Sequence, residues 1–292
     1  MSNLKSNFDP PYLTVKRAVL NALREDLEPI GDITSALVDP DKNSMLELNA
    51  RLPGVLAGKL CFLETFNQID SDIKVDFYLE DGALLDVNTK VALIEGNFGN
   101  ILTAERTALN FLSHLSGIAT LTYSFVLQAK KGSDKVKILD TRKTTPGLRT
   151  LEKAAVRAGR GFNHRGNLSE AILIKDNHLG GLSIEQAIET AKNNWPLKTV
   201  EVECDKLDQV IAAAKAGATV VMLDNMDIDE ITFAVKQVEE INREFNNRTL
   251  VEVSGGVTLN KVTELAQAGP DFISVGAITN SAPVLDFGID LV

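Results

Sequence analysis

Apolar positions in the first hundred residues follow two rhythms. Over residues 12–26 they recur at helical spacing, with Val15, Val19, Leu20 and Leu23 leading to Leu27, and Pro29 and Gly31 close the pattern. Short aliphatic runs then predict strands at 45–50, 73–79 and 91–95, separated by the turn signals Pro53-Gly54 and Asp81-Gly82. A long helical pattern over 103–130 holds Arg106 and His114 and is expected to bend near Ser116-Gly117. This part of the chain reads as α+β.

After Lys135 the pattern changes. Strands are predicted at 136–139, 172–175, 199–202, 220–223, 250–253 and 272–275. Amphipathic helices are predicted between them at 147–158, 184–194, 207–216, 228–242 and 259–268. Short β-branched runs alternating with helices mean parallel strands joined by right-handed crossovers. Six such units fit a closed or nearly closed α/β barrel, with a doubly wound open sheet as the competing fold. No Gly-x-Gly-x-x-Gly follows the first of these strands, which weighs against dinucleotide binding.

Composition adds limits. The chain has 292 residues, enough for one large α/β domain and a smaller one, with 44% hydrophobic and 24% charged residues. No apolar run approaches the roughly 18 residues of a membrane span, and the start, Met1-Ser-Asn-Leu-Lys-Ser-Asn7, lacks a secretory core. Cys61 and Cys204 stand far apart in apolar surroundings and read as buried thiols in a reducing compartment. A cytoplasmic protein is expected. The net charge of −10 argues against nucleic acid or an anionic membrane as partner. Yet residues 137–178 hold nine Lys/Arg against four acids, while the rest of the chain holds 21 against 36. A basic island in an acidic protein suggests a small anionic ligand, although Lys153 and Arg157 fit a solvated helix face.

In α/β barrels the chemistry sits at the carboxyl ends of the strands. Here those ends read Asp140-Thr-Arg-Lys-Thr-Thr-Pro-Gly147, Lys175-Asp-Asn-His178, Glu201-Val-Glu-Cys204, Leu223-Asp-Asn225, Ser254-Gly-Gly256 and Gly276-Ala277, with Asn163-His-Arg165 before the second strand. Arg142, His164, Arg165 and Lys175 could surround a compact dianion, since Arg forks match carboxylates. Glu203 and Asp224 offer oxygen ligands to Mg²⁺ or to ribose hydroxyls. Ser254, Gly255, Gly256 and the Gly276 loop offer backbone N–H groups at helix starts, a common phosphate cradle. On residues alone this is an enzyme of phosphorylated sugars. Plainer roles stand beside each assignment. Asp224 and Asn225 could cap the next helix, Gly-Gly could be a turn, His114 could pack in the core or at an interface, and His178 could brace a loop. Lys175 resists this treatment, because it ends the apolar run 171–174 and would be buried without a partner.

The same blocks, with Thr103-Ala-Glu-Arg106 and Ser116-Gly-Ile-Ala-Thr120, resemble the quinolinate phosphoribosyltransferases, in order from about residue 25 to the C-terminus. The resemblance implies an N-terminal α/β sandwich over 1–116, joined by the tail 280–292, and an open α/β barrel over 117–279. It implies transfer of phosphoribosyl from phosphoribosyl pyrophosphate to quinolinate with loss of CO₂, giving nicotinate mononucleotide. It further implies a quinolinate pocket of Arg142, His164, Arg165 and Lys175, completed by Arg106 from the other subunit of a homodimer. Lys143, Lys175, Glu203, Asp224, Ser254, Gly255, Gly256 and Gly276 would hold phosphoribosyl pyrophosphate and Mg²⁺, the metal through water on Glu203 and Asp224. Lys143, Lys175, Glu203 and Asp224 would be the catalytic set. Two departures are visible: Arg160 stands where glycine is usual, and Glu170 where aspartate is usual. Rival readings are a Schiff-base lyase using Lys175, a paralogous phosphoribosyltransferase with another anionic acceptor, and a non-catalytic binding barrel.

Overall fold

A computed structural model describes residues 9–292; the polar start 1–7 lies outside the described residues. In chain order the elements are α1 (Tyr12–Leu27), β1 (Asn43–Ala50), β2 (Gly54–Val55), α2 (Lys59–Ile69), β3 (Lys74–Phe77), β4 (Leu84–Leu85), β5 (Lys90–Asn97), α3 (Phe98–Gly132) and β6 (Lys137–Leu139). There follow α4 (Arg149–Ala158), β7 (Ile172–Ile174), α5 (Asp176–Leu179), α6 (Ile184–Asn194), β8 (Val200–Cys204), α7 (Leu207–Lys215) and β9 (Val220–Asp224). The chain ends with α8 (Ile228–Phe245), β10 (Leu250–Ser254), α9 (Val262–Gln267), β11 (Phe272–Ser274), α10 (Ala277–Asn280) and β12 (Phe287–Leu291). Among the described residues no helix is long and apolar enough to cross a membrane.

Contacts divide the described residues into two compact units, one of residues 9–123, 144–160 and 277–292, the other of 124–143 and 161–276. In the first, an antiparallel sheet runs β12-β1-β5-β3. Alternate residues of β1, namely Leu46, Leu48 and Ala50, turn to a core with Phe62, Phe66, Ile94 and Leu112. Phe62 lies 5.0 Å from Phe66 with the rings tilted at 44°, and meets Phe77 edge-on at 5.5 Å. α1 buries Val15, Val19 and Leu23 while Leu20 stays 40% exposed, so the apolar stripe is narrower than the sequence suggests. The bend expected at Ser116-Gly117 does not interrupt α3. Those residues serve packing instead: the Ser116 hydroxyl bridges the Ala57 N–H and C=O at 3.0 and 3.1 Å, and a Cβ on Gly117 would sit 2.1 Å from the Pro283 carbonyl oxygen.

The second unit carries six parallel strands in the order β6-β11-β10-β9-β8-β7. Strands adjacent in sequence are adjacent in space from β7 to β11, and β6 joins beyond β11, which is barrel order with a seam between β6 and β7. A parallel bridge from Leu139 to Phe162 extends the β6 edge. The barrel reading therefore holds. On β8, Val200, Val202 and Cys204 are buried, and α6 and α7 pack on that strand. Cys61 and Cys204 are both buried free thiols, pushed up to about 12 by burial.

Candidate active site

Side chains alternate along a strand, so every second residue points into the barrel. A cavity of about 540 Å³ in the second unit is lined on that parity by Leu173 and Lys175, Glu203, Met222 and Asp224, Glu252 and Ser254, and Ser274. Thr141, Arg142, Lys143, His164, Arg165, Asn225, Gly255 and Gly256 complete the wall. Ten of the twelve residues expected from sequence thus meet around one space. Gly276 stands beside it: a Cβ there would lie 3.0 Å from Lys143 Cδ, so glycine leaves room for that lysine. Arg106 is exposed on α3 in the first unit.

The loops are held by specific bonds. Asp140, fully buried, accepts from the His164 N–H at 2.8 Å and from Asn163 Nδ2 at 2.6 Å, which fixes the His164-Arg165 segment beside β6. Arg165 donates from its guanidinium to the Ala171 carbonyl at 3.0 Å. Its acidity is raised first by burial and then by the neighbouring Arg142, with Glu201 opposing; crowded cations of this kind favour an incoming dianion. Lys175 is not buried as the apolar run suggested. Its side chain is 42% exposed and its ammonium pairs with Glu203.

Several open assignments resolve. His178 Nδ1 accepts the Lys175 N–H at 3.0 Å and so braces the loop. His114 meets the buried Glu152 at 2.8 Å and packs in the first unit. Asp224 and Asn225 do not cap α8. Asp227 does so, its carboxylate accepting the Glu230 N–H at 2.9 Å, while Asn225 Nδ2 donates to Asp224 at 3.0 Å. Ser254-Gly-Gly256 does not open a helix as expected, because α9 begins only at Val262; any cradle is loop backbone. Gly255 and Gly256 have φ of 88° and 55°, which turns the loop back on Asn225. Arg160 takes a left-handed φ of 67° and lays its guanidinium 5.0 Å from the Tyr123 ring, within the first unit. Glu170 accepts the Gly166 N–H at 2.6 Å, closing the loop before β7.

Sequence reasoning passed over three groups: Glu252, Ser274 and the buried Glu201. Glu201 and Glu252 converge on His164 Nε2 at 3.0 and 3.6 Å. His164 Nδ1 accepts the Arg165 N–H at 2.8 Å. Both ring nitrogens are engaged, and a nitrogen that accepts an N–H carries no proton of its own. His164 therefore shapes the wall as a neutral ring and adds no positive charge to it, unlike the arginines beside it. The available signal was parity: Glu201 and Glu203, or Glu252 and Ser254, are two apart on their strands.

Comparison with known proteins agrees with this geometry. The family model described as quinolinate phosphoribosyl transferase, C-terminal domain, matches residues 118–290, and that of the N-terminal domain matches 32–116. The chain is 38% identical over 290 residues to the nicotinate-nucleotide pyrophosphorylase (carboxylating) of Mycobacterium leprae, covering 97% of this chain and 98% of that one. It is 36% identical over 303 residues to a mitochondrial quinolinate phosphoribosyltransferase (decarboxylating) of Nicotiana tabacum, covering 96% and 83%. The solved nicotinate-nucleotide pyrophosphorylase of Francisella tularensis superposes with a TM-score of 0.90 at 39% identity, over 97% of this chain and 98% of that one. The resemblance read from the ordered motifs is borne out, and the chain belongs to the quinolinate phosphoribosyltransferase family.

Proposed function

We propose that this protein transfers the phosphoribosyl group of phosphoribosyl pyrophosphate to quinolinate with decarboxylation, releasing nicotinate mononucleotide, pyrophosphate and CO₂. The observation that carries this is one cavity lined by Arg142, Lys143, Arg165 and Lys175 together with Glu203, Asp224 and the Ser254-Gly-Gly256 loop. A flat dianion, a ribose and a pyrophosphate together need that mixture of charges. Arg142, Arg165 and Lys175 hold the quinolinate carboxylates, and His164 backs the ring. Lys143 lies where it can draw charge from the departing pyrophosphate. Holding the ring nitrogen against the ribose carbon supplies several kcal/mol of the barrel's work on the barrier.

The carboxylates of Glu203 and Asp224 are hard oxygen donors in one cavity, the donor class that Mg²⁺ takes. They would hold the ion through water, and when bound it screens the charge of pyrophosphate as that group leaves. A homodimer in which Arg106 reaches the neighbouring quinolinate pocket is part of this reading, as is a cytoplasmic setting, which the two free buried thiols support. A Schiff-base role for Lys175 finds no support, since its amine is paired with Glu203 in a polar setting rather than desolvated among apolar groups.

The test mixes the purified protein with quinolinate, phosphoribosyl pyrophosphate and Mg²⁺. Equal, Mg²⁺-dependent release of nicotinate mononucleotide and CO₂ is expected. Binding of phosphoribosyl pyrophosphate with no product from quinolinate would move the acceptor to another acid.

A further inference from the structure

Glu201 and Glu252 have no part in the reaction as described. They are 5% and 1% exposed, on β8 and β10 with β9 between them. Two carboxylates inside a barrel are costly unless something satisfies or neutralises them. Yet among the described residues Oε1 of each is buried without a hydrogen-bond partner. A histidine and two carboxylates with ligand atoms within 4.8 Å of one another suggest a metal site. The histidine argues against it. Because Nδ1 accepts the Arg165 N–H, the ring proton sits on Nε2, the atom a metal would need. That proton points to Glu201, at 3.0 Å.

Glu252 is thereby offered no ring proton, although its Oε2 lies 3.6 Å from that nitrogen, and it lines the substrate cavity. Its strand neighbours give it no charge partner: it registers with Met222 on β9 and Phe272 on β11. Burial first, and then Glu201, push its carboxyl up to about 7; the Ser274 hydroxyl opposes, as would a charged His164, but the ring is neutral. Arg142, Lys143, Arg165 and Lys175 share the cavity. The result is a buried acid that keeps its proton near neutral pH, beside a site whose proposed chemistry consumes one.

That consumption follows from the reaction proposed above, on which this step rests. Once the ring nitrogen carries ribose, the bond from C2 to the adjacent carboxylate breaks. CO₂ leaves and the bonding electron pair stays on C2. The pyridinium ring tolerates the pair, but the product is complete only when C2 gains a proton. We propose that Glu252 is the acid that supplies it. The Glu252 O–H bond breaks, a C2–H bond forms, and Glu252 is left as a carboxylate facing Glu201. Two like charges at that distance from one histidine draw a proton back from solvent before the next turnover.

Glu252→Gln keeps the shape and the uncharged state and removes the transferable proton. With quinolinate, phosphoribosyl pyrophosphate and Mg²⁺, first-turnover pyrophosphate and CO₂ are followed separately. Without a proton for C2 the carbanion recombines with the CO₂ beside it, so pyrophosphate release within about threefold of wild type is expected, with net CO₂ release slowed at least about tenfold and the still-carboxylated mononucleotide accumulating. Glu252→Asp, which retains an acid, should recover part of the CO₂ rate. If Glu252→Gln does not fold, the same split measured on Glu252→Asp decides. CO₂ release slowed with pyrophosphate release would assign Glu252 to binding and overturn the proton role, as would wild-type rates of both. A wild-type protein that releases neither product fails at the reaction itself and is thereby told apart.

Discussion

One methyl group on the loop after β10 tests whether its backbone shapes the phosphate side of the cavity. Gly255 has a φ of 88°, and a Cβ there would lie 2.3 Å from Asn225 Oδ1, 2.6 Å from its Cγ and 2.8 Å from its backbone nitrogen. Asn225 cannot step aside cheaply. It is itself left-handed at φ 57°, its N–H donates to the Ser254 carbonyl at 3.1 Å, and its amide holds Asp224. Gly256 has a similar backbone, φ 55°, but its Cβ would meet nothing nearer than Asn225 Oδ1 at 4.0 Å. A left-handed alanine costs about 1–2 kcal/mol at either site. At 255 the overlap with fixed backbone adds about 1–3 kcal/mol. Gly256→Ala should therefore cost about 1 kcal/mol in urea unfolding, and Gly255→Ala about 3. In steady-state kinetics Gly255→Ala should lower kcat/KM for phosphoribosyl pyrophosphate more than about tenfold through the displaced Asp224, with the quinolinate KM moving less. If the two variants lose equal stability and equal kcat/KM, the fixed contact with Asn225 has no consequence and the reasoning fails.

Arg165→Ala should lower kcat/KM for quinolinate at least about tenfold, close to 1.4 kcal/mol, and unchanged kinetics would remove it from the pocket. Lys175→Met and Glu203→Gln should each cost activity, yet the double variant should lose less than the sum, because each single change strands the other's partner; strict additivity would show that the pair is not a functional unit. For Glu252, whose folded carboxyl titrates near 7 against an ordinary value of 4.5, the native state binds the proton more tightly than the unfolded chain. Its contribution to stability is full below about 4.5 and is lost as pH rises through about 7, a fall on the order of 3 kcal/mol. Urea midpoints across that range should drop in wild type and stay flatter in Glu252→Gln.

The barrel was legible because its signals are local. Helix α6 begins at Ile184 after Ser183, whose hydroxyl accepts the Gln186 N–H at 3.2 Å in a capping box written in four consecutive residues. Helix α2 was missed for the opposite reason. Its start at Gly58-Lys59 is capped by Asp81, whose carboxylate accepts both N–H groups at 3.0 and 3.2 Å from more than twenty residues away. No local pattern announces such a cap. Strand β12, with Gly288 inside it, pairs with β1 at the far end of the chain, and the two-residue strands β2 and β4 are too short for any periodicity.

The site shows a different limit. Val200-Glu-Val-Glu-Cys204 alternates, and alternation in an antiparallel sheet means a dry face and a wet face. In a barrel the wet-looking face is the interior, so Glu201 and Glu203 both point inward and depth alone separates them. Glu203 reaches the mouth, where Lys175 meets it; Glu201 stays 5% exposed, where the neutral His164 is what it finds. Leu250-Val-Glu-Val-Ser254 repeats the arrangement one strand further on, with Ser254 at the mouth and Glu252 below it. Reading only the strand ends recovers the groups that hold charged substrates, since those must lie where substrates enter. Groups that hold or move a proton gain from being one step deeper, where burial raises a carboxyl toward neutrality. Two residues back from each mouth residue is therefore where the acid chemistry of such a barrel should be sought.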